Sequence, residues 1–550
     1  MKDKIILYLK KYLDLNKFSH FTEKIIILNS KSKNFGDFNT NLAIIIAKKN
    51  NKDPLIIANE IKEYLLKVSL FKDITITKPG FINFFINEKE IIKYALSYFD
   101  KNYHDKFNTL QKLKINYEFV SANPTGYLHL GHARHAIIGE TTVMILKYVG
   151  HDVIREYYIN DAGVQIDNLA HSIYNHALIK LNIKKSDQDN SQYNGYEIID
   201  YASYLAKNHQ DLFIDKNKEQ AIIKIKKLAV DHFLEEIKKD LKALNVANYD
   251  IFTSDKKLIE DKKVDKILAK FQKSKYYYKK DDAIWIKTSA FGDPKDRVLI
   301  KKDLTYTYMV ADFANHVKKY QGGYDLMIDL WGADHHGYEA RIKAGLEILG
   351  YDSNKLKIDY ITLVKLLENG QEFKMSKRKG TAIRIREILD LIDVPAFKFS
   401  ILAKAKSQMH SIDIAKVNKK DINNNIYWYI QYANSRINQL LNKVEAKTIA
   451  NLKLKNDYFY LGKEQAEQNL LLKIIAFADQ ILQAANNREP LILINYLKEL
   501  AQAFHAYYNS CKIINKNKEI EEERLLLIIS LKNLFERIFN ILKIEPIKKM

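Results

Sequence analysis

The sequence contains little cysteine and little proline. Its 550 residues include one cysteine, Cys511, and seven prolines. A single cysteine excludes an intramolecular disulfide, and a structural zinc site needs about four closely spaced Cys or His ligands. No apolar run approaches the ~20 residues of a membrane span, and Lys10, Lys11 and Asp14 interrupt the N-terminal apolar stretch. We therefore expect a cytoplasmic protein with no membrane partner and no metal site of its own.

Acidic residues are scarce relative to basic ones. The chain has 88 Lys and Arg against 67 Asp and Glu, a net charge of +21, but only 11 of the basic residues are arginine. This excess favours a polyanionic partner such as RNA. A solvated lysine surface explains it equally well, so the composition alone does not decide between the two.

Glycine is rare outside two blocks. Fourteen of the 18 glycines lie between residues 126 and 163 or between 292 and 380, where we expect loops that approach ligands closely. The stretch 196–291 has neither Gly nor Pro and carries apolar residues at helical spacing, which predicts helix. After residue 380 the only glycine is Gly462, and the helical apolar period predicts an all-α region.

These regions predict about three domains. We expect an N-terminal α+β domain over 1–108, an α/β domain over 109–394 with a helical insertion at about 171–290, and an all-α domain over 395–550. In the α/β domain, the strand KINYEFVSA, the turn NPTG, a helix from about 128 to 149 and the strand HDVIREYYI follow one another. This succession favours a Rossmann-like, doubly wound parallel sheet, whose ligands lie beyond the carboxyl ends of the strands.

The first strand-to-helix turn carries two histidines. In NPTGYLHLGH, His129 and His132 lie three residues apart, on one face of the predicted helix at its positive end. Backbone amides and imidazole donors there suit an anion such as a triphosphate, and Gly131 leaves room for a base. Two ordinary surface histidines are the alternative, which the complete motif after a strand and turn disfavours.

A second motif is FKMSKRKG, at residues 373–380. A solvated loop is the ordinary interpretation of such a charge run. Together, however, HLGH and KMSK resemble the two motifs of class I aminoacyl-tRNA synthetases. The resemblance implies that His129, His132, Lys374 and Lys377 act on the phosphates of ATP, and that Mg²⁺ is carried with ATP. It also implies ATP contacts from Asn123, Pro124, Gly131, Asp334, His336, Met375 and Ser376.

Six longer segments narrow this resemblance: EFVSANPTGYLHLGHARHAIIGE, SAFGDPKDRVLIKKDLTYTYMVADFANH, DLWGADHHGYEARIKA, EFKMSKRKGTAIRIREIL, FGDFNTNLA and PGFINFFI. All resemble the arginyl-tRNA synthetases. The resemblance implies synthesis of arginyl-adenylate from L-arginine and ATP, then transfer of arginine to the 3′ end of its tRNA. Glu118 and Asp312 would bind the guanidinium, Tyr308 would pack on it, and Asn123 and Asp334 would contact the rest of the amino acid.

The chemistry of arginine supports these residues independently. A guanidinium is a planar fork of donors that pairs with carboxylates and stacks on an aromatic ring. Lysine lacks this fork, so we expect the site to reject it without editing. The insertion does not resemble the β-rich editing domain of the isoleucine and valine enzymes, and we expect no proofreading.

Two regions are candidates for contact with tRNA. The C-terminal domain resembles the DALR anticodon-binding fold, and there Tyr429, Tyr432 and Arg436 lie at i, i+3 and i+7, a pattern that can stack unpaired bases. A buried core stripe is the alternative. In the N-terminal domain we expect Phe35 and Phe38 at the tRNA D-loop. We expect the protein to be a monomer.

Two other functions account for part of the sequence. A small-metabolite nucleotidyltransferase shares the HxGH turn and the ATP geometry, but it explains neither the helical C-terminal region nor the KMSK loop. An RNA-binding paralogue that has lost activation would be expected to lack one of the two histidines or two lysines. All four are present.

Overall fold

The computed structural model describes most of the chain, in the ranges 1–30, 32–107, 110–184, 191–214, 217–373 and 383–550. The chain forms two compact units. Unit 1 consists of residues 1–111 and 420–550, and unit 2 of residues 112–419. No helix in the described ranges has the length and apolar character needed to cross a membrane.

The N-terminal part of unit 1 is a small α+β structure. Its elements are α1 (Lys2–Leu15), β1 (Leu28–Asn29), β2 (Phe38–Thr40), α2 (Leu42–Asn50), α3 (Pro54–Leu65), β3 (Phe71–Thr77), β4 (Phe81–Ile86) and α4 (Glu88–Ser97). The strands form an antiparallel sheet in the order β1-β2-β4-β3. Helix α3 begins at Pro54, and the Asp53 carboxylate accepts the N–H of Leu55 at 2.8 Å, which satisfies a free amide of the first turn.

Unit 2 contains eleven described strands. They are β5 (Lys114–Glu118), β6 (Asp152–Ile159), β7 (Ile251–Ser254), β8 (Tyr277–Lys280), β9 (Ala283–Ile286), β10 (Arg297–Ile300), β11 (Leu326–Gly332), β12 (Leu356–Ile361), β13 (Val364–Glu368), β14 (Gln371–Glu372) and β15 (His410–Asp413). Five form a parallel sheet in the order β12-β11-β5-β6-β7. The predicted Rossmann-like parallel core is confirmed.

The α-helices of unit 2 connect and cover these strands. They are α5 (Leu130–Tyr148), α6 (Val164–Lys180), α7 (Tyr196–Asn208), α8 (Asp211–Ile214), α9 (Lys218–Ala243), α10 (Asp255–Glu260), α11 (Lys263–Gln272), α12 (Tyr308–Gln321), α13 (Glu339–Ile348), α14 (Ile385–Leu391), α15 (Val394–Leu402) and α16 (Ile414–Asn418). Helix α5 joins β5 to β6, and α12 precedes β11. A helix that follows a parallel strand, or returns to the start of the next one, begins on the side of the sheet where the strands end. Helices α5 and α12 therefore both begin beside the carboxyl ends of the central strands, where ligands of such sheets bind.

Strand β5 is shorter than predicted. It ends at Glu118, whereas the predicted strand continued to Ala122. Val120 and Ser121 have φ angles of 69° and 41°, outside the extended region. The hydroxyl of Ser121 accepts the N–H of Tyr158 at 3.0 Å, which fixes this bend against β6. The bend leaves Glu118 at the open end of the sheet.

The predicted helical insertion at 171–290 is wrong at residues 251–254 and from residue 277 onward, where strands replace helix. Helices α6, α7 and α9 share one apolar core, but β7 is the edge strand of the central sheet and β8, β9 and β10 form an antiparallel sheet. The β8–β9 hairpin turns at Asp281 and Asp282, which both have positive φ (51° and 56°). Such turns usually contain glycine, and the weaker signal of two consecutive aspartates was not recognised.

The predicted boundary at Pro395 is also displaced. Helices α15 and α16 and strand β15 belong to unit 2, which extends to Lys419, and β15 pairs with β13 in parallel. The buried Arg134 of α5 holds this segment, because its guanidinium donates to four backbone carbonyls at 2.8–3.0 Å. These belong to Thr362, Leu363, Ala405 and Gln408.

The C-terminal part of unit 1 is all-helical, as predicted. Its helices are α17 (Ile426–Leu441), α18 (Ala446–Asn451), α19 (Gln465–Ile475), α20 (Phe477–Asn487), α21 (Leu491–Ser510) and α22 (Lys518–Leu542). The helical stretch over residues 465–487 is divided at Ala476 into α19 and α20.

Candidate active site

A cavity of about 990 Å³ opens at the carboxyl ends of β5, β6 and β11. Two groups of predicted residues line it: His129, Gly131 and His132 at the start of α5, and Glu118 with Asp312 between β5 and α12. Asn123 and Asp334 line it as well. The cavity therefore has an end formed by the histidine turn and an end formed by buried carboxylates.

The two histidines are fixed by the backbone of their own turn. His129 caps α5: its Nδ1 accepts the N–H of Gly131 at 3.1 Å, and Nδ1 of His132 accepts the N–H of His129 at 3.3 Å. The rings stack with centroids 3.8 Å apart. Because each Nδ1 accepts, a neutral ring carries its proton on Nε2. Both side chains are therefore N–H donors at Nε2.

These donors are uncharged at neutral pH. Burial lowers the pKa of His129, and burial together with the neighbouring His129 and His135 lowers the pKa of His132 to about 3. The helix N-terminus adds free backbone N–H groups and a positive partial charge. This end of the cavity offers an anion dipoles and hydrogen-bond donors, but no formal cation from these histidines.

Gly131 relieves crowding against the ring of His129. A Cβ at position 131 would lie 3.0 Å from Cε1 and 3.2 Å from Nδ1 of that ring. Glycine therefore lets the imidazole fold back over the first turn of α5. The sequence predicts that glycine here leaves room for the base of a nucleotide. The contact with the ring of His129 is a second reason for glycine at position 131.

A third histidine of the cavity, His135, was not predicted from the sequence. His135 lies one turn after His132 on α5 and lines the cavity. Burial lowers its pKa to about 4, and its Nδ1 has no hydrogen-bond partner among the described residues. The H-x-x-H-x-x-H spacing was the available signal.

The turn residues before α5 differ in exposure. Asn123 is half-buried and donates from Nδ2 to Oε1 of Gln165 at 2.6 Å. Pro124 is buried. Asn123 lines the cavity, whereas Pro124 does not.

The carboxylate end is built around an internal lysine that the sequence analysis missed. Nζ of Lys319 lies 2.6 Å from Oε2 of Glu118 and 2.7 Å from Oδ1 of Asp329. Burial opposes the charge on Lys319, but Asp329 and Glu118 hold its pKa above the usual value. Burial raises the pKa of Glu118, and the ammonium of Lys319 counters this. One buried ammonium thus bridges two buried carboxylates.

His316 supplies a second cation. Its Nδ1 lies 2.7 Å from the carbonyl oxygen of Asp312 and its Nε2 lies 2.8 Å from Oδ2 of Asp329. Both partners only accept, so both ring nitrogens donate and the ring is an imidazolium. Burial opposes this charge, yet Asp329 holds the pKa of His316 above its usual value. Glu118, Asp312 and Asp329 then face two fixed cations.

The two remaining arginine candidates lie on the first turns of α12. Asp312 accepts a hydrogen bond from the hydroxyl of Tyr338 at Oδ2, and burial raises its pKa. Tyr308 is 58% exposed, beside Gly163. Its ring therefore stands apart from the buried carboxylates.

The segment after β11 is a 3₁₀ helix, Ala333–Tyr338. Asp334 and His335 line the cavity, whereas His336 stacks on Tyr360 with ring centroids 3.7 Å apart. The structure thus brings Asp334 to the cavity and packs His336 against β12.

Lys374, Met375, Ser376 and Lys377 lie outside the described residues. The chain that follows them returns to the histidine turn. Leu130 donates its N–H to the carbonyl of Ile383 at 3.1 Å, and Ile385 donates to the carbonyl of Leu128 at 3.0 Å.

The aromatic face predicted in the C-terminal part of unit 1 gains two partners from α21. The ring of His505 lies 5.0 Å from that of Tyr429 and 5.5 Å from that of Tyr432. The guanidinium of Arg436 lies 4.0 Å from the ring of Tyr508. Burial, and then the charge of Arg436, lower the pKa of His505 to about 4. The three predicted side chains are partly exposed, so the pure core-stripe alternative does not describe them.

The two phenylalanines of the N-terminal part differ. Phe35 is 46% exposed, whereas Phe38 is 9% exposed and belongs to the core of this part. The expectation of a tRNA contact from Phe38 is therefore corrected: its place in β2, paired with β4, directs the ring inward.

Three families match the chain. Residues 2–86 match the arginyl-tRNA synthetase N-terminal domain, residues 95–443 the catalytic domain of class I (R) tRNA synthetases, and residues 430–550 the DALR anticodon-binding domain. Arginine–tRNA ligase of Ureaplasma parvum serovar 3 is 39% identical, with 96% of both chains covered. That of Staphylococcus aureus (strain Mu3) is 38% identical, with 90% of both covered. The fold resembles Thermus thermophilus arginyl-tRNA synthetase, with a TM-score of 0.73 at 19% identity and coverage of 96% of this chain and 98% of that chain.

Proposed function

The chain belongs to the class I arginyl-tRNA synthetases, and on that premise we propose that the unit 2 cavity binds ATP at its histidine end and L-arginine at its carboxylate end. The enzyme is an arginine–tRNA ligase. It activates L-arginine with ATP to arginyl-adenylate and pyrophosphate, and transfers the arginine to the 3′ end of its tRNA. One observation carries the assignment of the cavity: both groups of side chains line the same space.

At the ATP end, Nε2–H of His129 and of His132 would donate to phosphate oxygens, beside the free amides of α5. Asn123, Gly131 and Asp334 would contact the nucleotide or the amino acid from the same side. Neutral donors held by the backbone act on the charge that develops during the reaction without reorganising. Lys374 and Lys377 would complete the phosphate contacts, with Met375 and Ser376 beside them.

At the arginine end, Glu118 and Asp312 would pair with the guanidinium. The carboxylates of Glu118, Asp312 and Asp329 outnumber the cations of Lys319 and His316 by one, which favours a cationic ligand such as a guanidinium. The packing of Tyr308 on the guanidinium, which the resemblance implies, stays a prediction, because its ring is 58% exposed and stands apart from the buried carboxylates. The arginine carboxylate is already a nucleophile, so the attack on the α-phosphate needs no general base, and positioning supplies the catalysis.

We further propose that unit 1 holds the tRNA, through Tyr429, Tyr432 and Arg436 at the anticodon and through Phe35 at the D-loop. Mg²⁺ would be bound by phosphate oxygens of ATP, since the described residues contain no group of three or more His, Cys, Asp or Glu that could hold a metal. We also propose that the protein acts as a monomer. We place the reaction in the cytoplasm.

The test of this proposal is arginine-dependent ATP–pyrophosphate exchange and tRNA charging, run with arginine against the other amino acids. Among the amino acids, only arginine should support exchange and charging. Replacing Glu118→Gln should raise the KM for arginine by about 30- to 1,000-fold, because it removes one charged partner of a buried pair. The KM for ATP should stay within about twofold. Binding of tRNA without any activation would instead favour an RNA-binding paralogue.

A further inference from the structure

Glu118 has little capacity left for a guanidinium. Its Oε2 lies 2.6 Å from Nζ of Lys319 and 3.4 Å from Nδ2 of Asn315, and its Oε1 accepts the hydroxyl of Ser121 at 3.0 Å. A carboxylate oxygen accepts about two hydrogen bonds. One further bond, at Oε1, therefore remains for a ligand.

Asp312 is also partly engaged, because Tyr338 donates to its Oδ2. A guanidinium presents five N–H donors in a rigid plane. Glu118 and Asp312 alone can satisfy most of this fork but not all of it, and a donor left unpaired in a buried pocket weakens binding. The cavity therefore needs another acceptor close to both carboxylates.

Asn315 has that acceptor. It lies three residues after Asp312 on α12, so the two side chains share a face of the helix. It is 3% exposed and lines the cavity. Its Nδ2 points to Glu118, because the reverse orientation would set two oxygens against each other. Its Oδ1 is buried and has no hydrogen-bond partner among the described residues.

We propose that Oδ1 of Asn315 accepts a guanidinium N–H and is a specificity-determining contact for arginine, between Glu118 and Asp312. The inference rests on the proposed arginine site and adds a residue to it. Lysine offers three donors at one point and cannot reach Asn315 while also pairing both carboxylates. Asn315 therefore favours arginine over lysine.

The test compares Asn315→Leu, which removes the acceptor at nearly constant size, with Asn315→Thr, whose hydroxyl can donate to Glu118 and accept from the guanidinium. In ATP–pyrophosphate exchange with saturating tRNA, Asn315→Leu should raise the KM for arginine roughly 10- to 100-fold. The inhibition constant of lysine and the KM for ATP should stay within about twofold. Asn315→Thr should keep the KM for arginine within about fivefold of the unmodified enzyme, because its hydroxyl can still accept a guanidinium N–H.

Val317→Ala is the matched control for damage to α12, because Val317 is buried on the same helix but does not line the cavity. It should lower stability without changing the KM for arginine. Equal arginine KM in Asn315→Leu and the unmodified enzyme, together with a raised KM in Glu118→Gln, would overturn the role of Asn315 alone. An unchanged KM in Glu118→Gln would overturn the proposed arginine site and this inference together.

Discussion

The two ends of the unit 2 cavity differ in charge. At the histidine end, His129 and His132 are neutral and act through Nε2–H donors fixed by the backbone. At the carboxylate end, Glu118 and Asp329 are buried around an ammonium, and His316 carries a second positive charge. A single cavity thus combines dipolar recognition with ionic recognition.

This difference follows what each end does in the reaction. Charge on the phosphates changes as the α-phosphate is attacked, so donors there stabilise the transition state more than the ground state. The guanidinium does not react, and its ionic contacts are equal in both states. Changes at the histidine end should therefore lower kcat, whereas changes at the carboxylate end should raise the KM for arginine or reduce stability.

The largest effect is expected from Lys319→Met. This substitution leaves Glu118 and Asp329 buried without their shared cation, which should reduce the free energy of unfolding by about 3–5 kcal/mol. Urea denaturation followed by circular dichroism measures this. Lys318→Met is the control: Lys318 is partly exposed, 3.6 Å from Glu156, and its loss should cost about 1 kcal/mol or less. Equal losses of unfolding free energy in the two variants would mean that the ion pairs of Lys319 do not stabilise the carboxylate end.

A smaller effect, on rate alone, is expected from His132→Ala. Loss of one donor at the phosphate end should lower kcat of ATP–pyrophosphate exchange by about 10²–10³-fold. The KM for arginine should stay within about twofold. His132→Gln, whose amide N–H can replace Nε2–H, should recover part of the loss. A raised arginine KM with unchanged kcat would show that His132 contributes to arginine binding and not to the rate of the reaction.

The sequence predicts the residues of the histidine end more completely than those of the carboxylate end. HLGH is contiguous, and a strand, a turn and a helix N-terminus suffice to orient both of its rings. Glu118 and Asp312 were found through the family resemblance, but Lys319, His316 and Asp329 were not. Lys319 is one lysine in a chain with a large basic excess, and only packing of α12 against β5 and β11 makes it internal. Long-range pairing of this kind leaves no local pattern.

The same limit applies to the fold. Parallel strands and amphipathic helices have a periodicity that the sequence shows, and the predictions are correct for β5, α5 and β6 and for the all-helical C-terminal part of unit 1, but not for β7. The β8–β9 hairpin was missed because its turn uses Asp281 and Asp282 instead of glycine. The end of unit 2 was placed too early because Arg134 holds residues 405–408 there through hydrogen bonds to the carbonyls of Ala405 and Gln408, and three further hydrogen bonds reach Thr362 and Leu363. Neither feature follows from local propensity.

The smallest expected effect is a difference in pH dependence between the two ends. Asp329 holds the pKa of His316 above its usual value. A raised folded pKa means that the native state binds the proton more tightly than the unfolded state does. The stability from the His316–Asp329 pair is thus fully present below about pH 6.5 and is lost as pH rises through the folded pKa.

The measurement is the free energy of unfolding of the unmodified enzyme and of His316→Gln between pH 6 and pH 9. The substitution should cost roughly 1 kcal/mol at pH 6, about the contribution of one hydrogen bond, and less at pH 9. His132→Gln is the matched control. The pKa of His132 is lowered to about 3, so the ring is neutral in the folded state throughout this range. The cost of its replacement should rise between pH 6 and pH 7, as the unfolded histidine loses its proton, and stay constant above pH 7, opposite to the trend for His316→Gln. A constant cost for His316→Gln would mean that His316 is neutral, and the carboxylate end would then carry one more unit of negative charge for arginine to balance.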